Sequence, residues 1–202
     1  MPLRDNKWVP IGDRNPDFTL GLTNTFNYKN WNLGFLLDIR KGGDIWNATE
    51  YFMTVNGLSK NTLNRTDKVV IKGIVKDGKE NTDNPTVNTK ELDPMTDKNY
   101  WNAGSGAFLE KDFIEKDINW LRMKEINLSY SFPKTMLSKL KAVKSLTLFA
   151  SATDVFLLTN YTGLDPVVNG NSAAVGGSGS AGFDYGNFPL PRGYNFGLKL
   201  GL

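Results

Sequence analysis

Neither cysteine nor histidine occurs among the 202 residues. The first absence excludes disulfides and thiolate metal sites. The second removes the usual general base and the commonest zinc ligand, and with it hydrolysis by a Ser/His or Cys/His pair. Two carboxylates alone can serve a glycosidase, but no spacing here nominates a pair, so no enzyme and no cofactor is expected. Long apolar runs are also missing. No stretch approaches the ~20 residues of a membrane-spanning helix, which excludes a helical membrane protein but not a barrel of alternating strands. The net charge of +3 is small, and no basic cluster is interleaved with stacking aromatics, so no nucleic-acid partner is expected. The N-terminus lacks a basic region followed by an apolar one, so the expectation is a mature form or a fragment rather than a precursor.

What is present is β-forming material. Aromatics make up 12% of the chain and glycine supplies 20 residues, a pool suited to strands and turns. The last eleven residues show the pattern best. Tyr194, Phe196, Leu198, Leu200 and Leu202 fall on one parity, and Asn195, Gly197, Lys199 and Gly201 on the other. A strand sends successive side chains to opposite faces, so this segment has one wholly apolar face. A soluble protein rarely leaves such a face bare, whereas in a membrane β-barrel lipid covers it.

The same alternation recurs. Phe18, Leu20, Leu22, Phe26 and Tyr28 oppose Thr19, Gly21, Thr23, Thr25 and Asn27; after Lys29-Asn30, Trp31, Leu33, Phe35, Leu37 and Ile39 oppose Asn32, Gly34, Asp38 and Arg40. Two such runs around a two-residue turn predict a hairpin. Each strand of 10–11 residues extends about 35 Å, enough when tilted to cross the ~25 Å apolar band of an outer-membrane barrel. Further strands are expected over 118–132 and 145–156, with short helices over 44–53 and 134–143 and a loop strand over 69–75. Turns are expected at 93–94 and 102–106, and the Gly/Ser-rich stretch 169–182 reads as flexible.

The expectation is therefore all-β: about five long antiparallel strands of a transmembrane barrel, with long outer loops at 41–117 and 157–190. Short turns put the 29–30 connection and the terminal residue on the periplasmic side. Tyr28, Trp31 and Phe132 then fall where an aromatic girdle belongs. Five strands do not close, since the smallest single-chain barrels have about 8. The chain is expected to be a segment whose remaining strands are in the same or a separate chain.

Several blocks resemble one family in its own order. Ile11-Gly12-Asp13-Arg14-Asn15-Pro16-Asp17-Phe18 precedes Gly21-Leu22-Thr23-Asn24. Then come Arg40-Lys41-Gly42-Gly43-Asp44-Ile45-Trp46-Asn47, the run from Trp120 through Glu125-Ile126-Asn127-Leu128 to Pro133, and Asn160-Tyr161-Thr162-Gly163-Leu164-Asp165-Pro166. Last is Asp184-Tyr185-Gly186-Asn187-Phe188-Pro189-Leu190-Pro191-Arg192. The set resembles the C-terminal portion of the SusC/RagA family of TonB-linked outer-membrane proteins in Bacteroidetes. Val167 departs from the family, which usually has Glu there, as does Leu202 from the common terminal Phe or Trp. The resemblance implies a barrel of about 22 strands around a plug, importing oligosaccharides or peptides. It also implies a SusD-like lipoprotein as lid and energy from the TonB system through the plug. The plug and the first strands are absent from these residues.

Trp46, Tyr51, Trp101, Tyr161 and Tyr185 lie in the expected outer loops, where they either stack on ligand or pack the loops together. Asp38 and Arg40, on the lumen parity, either touch substrate or pair across the wall. Asp44, Asp93, Asp97 and Asp165 are loop carboxylates without the spacing of a calcium loop, so no metal site is expected. The competing reading is a soluble β-rich glycan-binding module that uses the loop aromatics.

Overall fold

The computed structural model describes residues 7–97, 99–101, 106–139, 142–167 and 181–202. Most of the 102–106 turn, residues 140 and 141 of the expected 134–143 helix and nearly all of the 169–182 stretch lie outside the described residues. In chain order the elements are β1 (Phe18–Tyr28), β2 (Trp31–Lys41), β3 (Ile45–Asn47), α1 (Ala48–Val55), β4 (Val69–Val70), β5 (Glu91–Leu92), β6 (Ile114–Glu115), β7 (Trp120–Ser131), α2 (Lys134–Leu137), β8 (Ser145–Thr159), β9 (Phe183–Asp184) and β10 (Gly193–Gly201). They fall into two compact units, one of residues 14–45, 116–168 and 187–202, the other of 1–13, 46–115 and 169–186.

The first unit is a five-stranded antiparallel sheet in the order β1-β2-β7-β8-β10. Its register turns five separate alternations into two continuous faces. One rung runs Tyr28↔Trp31↔Tyr130↔Leu148↔Leu198, and another runs Phe26↔Leu33↔Leu128↔Ala150↔Phe196. Both are apolar from edge to edge. The intervening rung Thr25↔Gly34↔Asn127↔Ser151↔Asn195 is polar or small throughout. Because the side-chain period is two, one slip between any pair would mix the faces. The apolar face is open to the surroundings: Phe26 is 57% exposed, Phe196 80% and Leu198 64%. A patch this continuous needs cover.

Two local features set the register. Lys29 adopts φ 52 in the β1–β2 turn, a left-handed conformation that lets the strands reverse within two residues. Between Met123 and Glu125 the pairing of β7 shifts against both neighbours, which leaves Lys124 and, on β8, Val155 and Asp154, the latter at φ 50, outside the regular ladder. Such bulges re-aim side chains.

The elements differ from expectation mainly where tertiary contacts compete with local signals. Residues 45–47 are drawn into a strand, where Trp46 and Asn47 pair in parallel with Phe183 and Asp184. The helix therefore starts at Ala48, capped by the Asn47 side chain accepting from the Glu50 N–H at 2.9 Å. Asp44 instead receives Lys116 Nζ at 2.8 Å. The expected strand over 69–75 reduces to Val69–Val70 paired with Glu91–Leu92, plus a bridge between Ile74 and Val87. β8 runs to Thr159, three residues beyond the alternation, and the helix after Pro133 spans only Lys134–Leu137.

The faces make a testable contrast. In the complete barrel, Ile126→Arg on the apolar rung should lower folding stability in lipid vesicles by about 2–4 kcal/mol. Asn127→Arg, one residue along on the other face, should leave it within about 1 kcal/mol. Urea unfolding monitored by tryptophan emission measures both.

Candidate functional site

On the polar face of the sheet, charge concentrates at the end of β7 near the long connections. Arg122 is almost completely buried and is held from two sides. Its Nη1 donates to Asp154 Oδ1 at 2.8 Å, and its Nη2 donates to Asp165 Oδ1. Asp154 is the bulged residue of β8, so its unusual φ is what turns its carboxylate onto Arg122. Asp165 lies in the connection after β8 and accepts two backbone N–H groups as well, from Val167 at 2.9 Å and Leu190 at 3.2 Å. One carboxylate thus ties the start and the end of the β8–β10 connection to a strand. Burial alone would raise the Asp165 pKa, but the bonds from Arg122, Val167 and Leu190 outweigh it and hold it below the ordinary carboxylate value.

Asp38 and Arg40 do not pair with each other. Asp38 accepts from Trp120 Nε1 at 2.9 Å and lies 3.5 Å from Lys124 Nζ, the other bulged residue. Arg40 donates to the carbonyls of Gly42 (3.0 Å) and Arg14 (2.9 Å), with its guanidinium 4.9 Å from the centre of the Trp120 ring. Gly42 and Gly43, at φ 79 and 87, permit this close approach; a Cβ at Gly43 would fall on the Arg40 Nη2 atom. Tyr161 is buried with Ile45, Ile118 and Trp120, and its ring lies over Gly163 where any side chain would collide.

The second unit gathers most of the other loop aromatics. Trp46 contacts Tyr51 and Phe183; Tyr51 contacts Phe52 and Phe113; Phe52 contacts Tyr185 edge-on at 5.2 Å. Trp101 stacks on Phe108 at 5.6 Å and donates Nε1 to the Pro94 carbonyl at 2.9 Å. Tyr51 is 3% exposed, whereas Tyr185 is 40% exposed. Phe52, Met53, Leu58 and Tyr185, with Thr49 and Asn56, line an open cavity of about 360 Å³. Asp184 orders its rim by accepting from Thr49 Oγ1 at 3.0 Å, and Thr49 in turn accepts from the Gly186 N–H at 2.7 Å.

Asp93 and Asp97 each accept a backbone N–H two residues on, at 2.9 and 3.0 Å, inside separate turns. Among the described residues no three His, Cys, Asp or Glu side chains gather as a metal site would need. The residues expected to form a girdle sit at the short-turn end: Trp31 and Tyr130 rings lie 4.6 Å apart, Tyr130 and Phe132 5.0 Å, and Lys29 Nζ lies 5.3 Å from the Tyr28 ring centre. Tyr194, Phe196, Leu198 and Leu200 lie on the apolar rungs of β10, with Leu202 just beyond the strand. Sequence reasoning did not single out Arg122. A cation on the parity of Ile126 and Leu128 was the available signal, since only a bulge could bring it to the polar face, but nothing local announces Asp154 or Asp165 as its partners.

An open sheet with one lipid-like face, one polar face, short turns at one end and long connections at the other is a segment of transmembrane barrel wall. No family model matches the chain. It is 28% identical over 94% of its length to "TonB-dependent receptor P3" of Formosa agariphila, and 24% identical, again over 94%, to "TonB-dependent receptor P39" of the same organism. It spans only 17% and 16% of those relatives. Its fold superposes on the RagAB peptide importer in the open-open state (TM-score 0.57, 17% identity) and the closed-closed state (0.55, 18%), covering 92% of this chain and 17% of that one in each case. The chain is thus similar to a portion of TonB-dependent receptors, and its fold to part of the RagAB peptide importer.

The Arg122 clamp yields a prediction with a defined sign. A depressed Asp165 pKa means that the fold favours the carboxylate, so its contribution is complete above the unfolded value of about 3.9. That contribution fades as the pH falls through the lower folded value. Asp165→Asn, which leaves the buried guanidinium short of charge, should cost about 3–5 kcal/mol locally. Hydrogen-exchange protection of the Val167 and Leu190 amides, taken relative to the intrinsic rate at each pH, should be high in the parent at neutral pH, low in the variant, and low in both under strong acid.

Proposed function

We propose that this chain forms part of the wall of an outer-membrane importer driven by the TonB system, with its long connections facing outward. The observation that carries the reading is the edge-to-edge apolar face of the sheet, which lipid would cover, together with the similarity to TonB-dependent receptors over 94% of the chain. β1 and β10 are the two edges of this sheet; in hydrocarbon each would need a further strand, because an unpaired backbone group there costs several kcal/mol. The remainder of the barrel and a plug, in the same or a separate chain, would supply those strands and the coupling to TonB.

The cargo we propose is a peptide or an oligosaccharide. The cavity beside Tyr185 and Phe52 suits either: an apolar floor with a few ordered polar groups takes the face of a sugar or a side chain. Trp46, Trp101 and, on the lumen side, Asp38 and Arg40 are further contact candidates, and Tyr51 and Tyr161 support the loops from beneath. A SusD-like lipoprotein is the proposed lid over the outward connections. The alternative, a soluble glycan-binding module, predicts a monodisperse monomer in plain buffer.

The direct test uses cells that carry the complete receptor gene or its deletion, fed labelled peptides and labelled oligosaccharides. Energy-dependent accumulation of one class, lost in the deletion and on collapse of the proton gradient, is the expected result. Tyr185→Ala should reduce accumulation by about tenfold, the loss of one aromatic contact. Accumulation that persists in the deletion strain contradicts the reading.

A further inference from the structure

The short-turn end of the sheet carries charge of one sign. Residues 132–144 contain Lys134, Lys139, Lys141 and Lys144 and no Asp or Glu, and the other short turn adds Lys29. Lys29, Lys134, Lys139 and Lys144 are exposed. Lys141 lies outside the described residues.

The apolar face beside these lysines is not evenly filled. β8 places Ala150 and Ala152 on it, whereas β7 opposite them carries Leu128 and Ile126, and β10 carries Phe196 and Tyr194. Two methyl groups between two rows of bulky side chains leave a trough along β8. A cavity of about 380 Å³ lies at its Ala150 end, lined on this face by Trp31, Leu128, Tyr130, Leu148, Ala150 and Phe196. The tilted Trp31 and Tyr130 rings, 4.6 Å apart, mark its end toward the turns. Nothing in the fold requires alanine here, since the neighbouring rungs carry Leu148 on the same strand and the same face.

We infer that this trough and the lysine rim bind an anionic glycerophospholipid, with an acyl chain over Ala150 and Ala152 and the phosphate among the lysines. The inference rests on the barrel reading, which makes the apolar face a lipid-facing one. The spacing fits. Lys144 is six residues from Ala150, about 20 Å along the strand at ~3.3 Å per residue, or about 14 Å of depth at ~45° tilt. That is the hydrocarbon depth of one leaflet, half of ~30 Å. A chain seated over Ala150 therefore brings its headgroup to Lys144. Lysines at that level attract anionic rather than zwitterionic heads, and an apolar groove too dry for water is filled by hydrocarbon.

The test uses the complete receptor, purified in detergent and offered equimolar phosphatidylglycerol and phosphatidylcholine of the same chain length, with retained lipid read by native mass spectrometry. Wild type should favour phosphatidylglycerol about tenfold. Lys134→Gln/Lys139→Gln/Lys144→Gln should abolish the preference, Ala150→Phe should lower retention of both lipids, and Leu20→Phe, on the same face but distant from the trough, should change neither. If Ala150→Phe does not fold, Ala152→Leu and the lysine variant carry the same contrast. Equal retention of the two lipids by wild type, or site variants that behave as wild type, overturns the site. Insertion into vesicles separates the two ideas: a receptor that inserts but shows no preference overturns the lipid site alone, and one that stays monomeric in plain buffer overturns the barrel and the site together.

Discussion

Hydrocarbon offers no hydrogen bonds to a polypeptide, so a backbone that crosses it must pair every N–H and C=O with itself. In this chain the β1-β2-β7-β8-β10 ladder meets that constraint for its inner strands, and the rest of the structure depends on keeping its register. A period of two then decides everything about the side chains. Rungs such as Phe26↔Leu33↔Leu128↔Ala150↔Phe196 face outward whole, and rungs such as Thr25↔Gly34↔Asn127↔Ser151↔Asn195 face inward whole. The bulge at Lys124 and Asp154 is the one place where the ladder yields, and it yields to chemistry. It frees a lysine for Asp38 and an aspartate for Arg122.

The Arg122 clamp links that wall to the connection that follows β8. Two carboxylates on one buried guanidinium, with the Val167 N–H on Asp165 Oδ1 and the Leu190 N–H on Asp165 Oδ2, hold both ends of a long connection beside β7. The other loop unit uses aromatic edge contacts instead, running from Phe183 through Trp46 and Tyr51 to Phe52 and Tyr185. These serve different ends. An ion pair fixes one point of attachment, while a chain of rings builds a surface beside an open cavity.

The long strands were legible because alternation is a local signal: Phe18 to Tyr28 and Trp31 to Ile39 declare their faces without any partner. Lys29-Asn30 declared the turn for the same reason. The loop elements were less legible because their competitors are distant. Asp44 reads as a helix cap until Lys116, more than seventy residues away, takes its carboxylate, and Asn47 caps the helix only because Asp184 and its neighbour pair residues 46 and 47 as strand. Arg122, Asp154 and Asp165 come together only in the folded sheet, so their clamp has no sequence signature. Of the aromatics, sequence could name Tyr185 and Tyr51 alike; only burial separates the exposed ring from the packed one.

The account stands on the claim that alternate residues of these strands face lipid and the rest face an aqueous lumen. Spin labels placed singly at 194 through 200 of β10, in the complete receptor in lipid vesicles, measure this directly through collisions with dissolved oxygen and with a water-soluble nickel chelate. Labels at 194, 196, 198 and 200 should favour oxygen and those at 195, 197 and 199 the chelate, in strict alternation. A profile without that period of two, or with the two sets reversed, would contradict it.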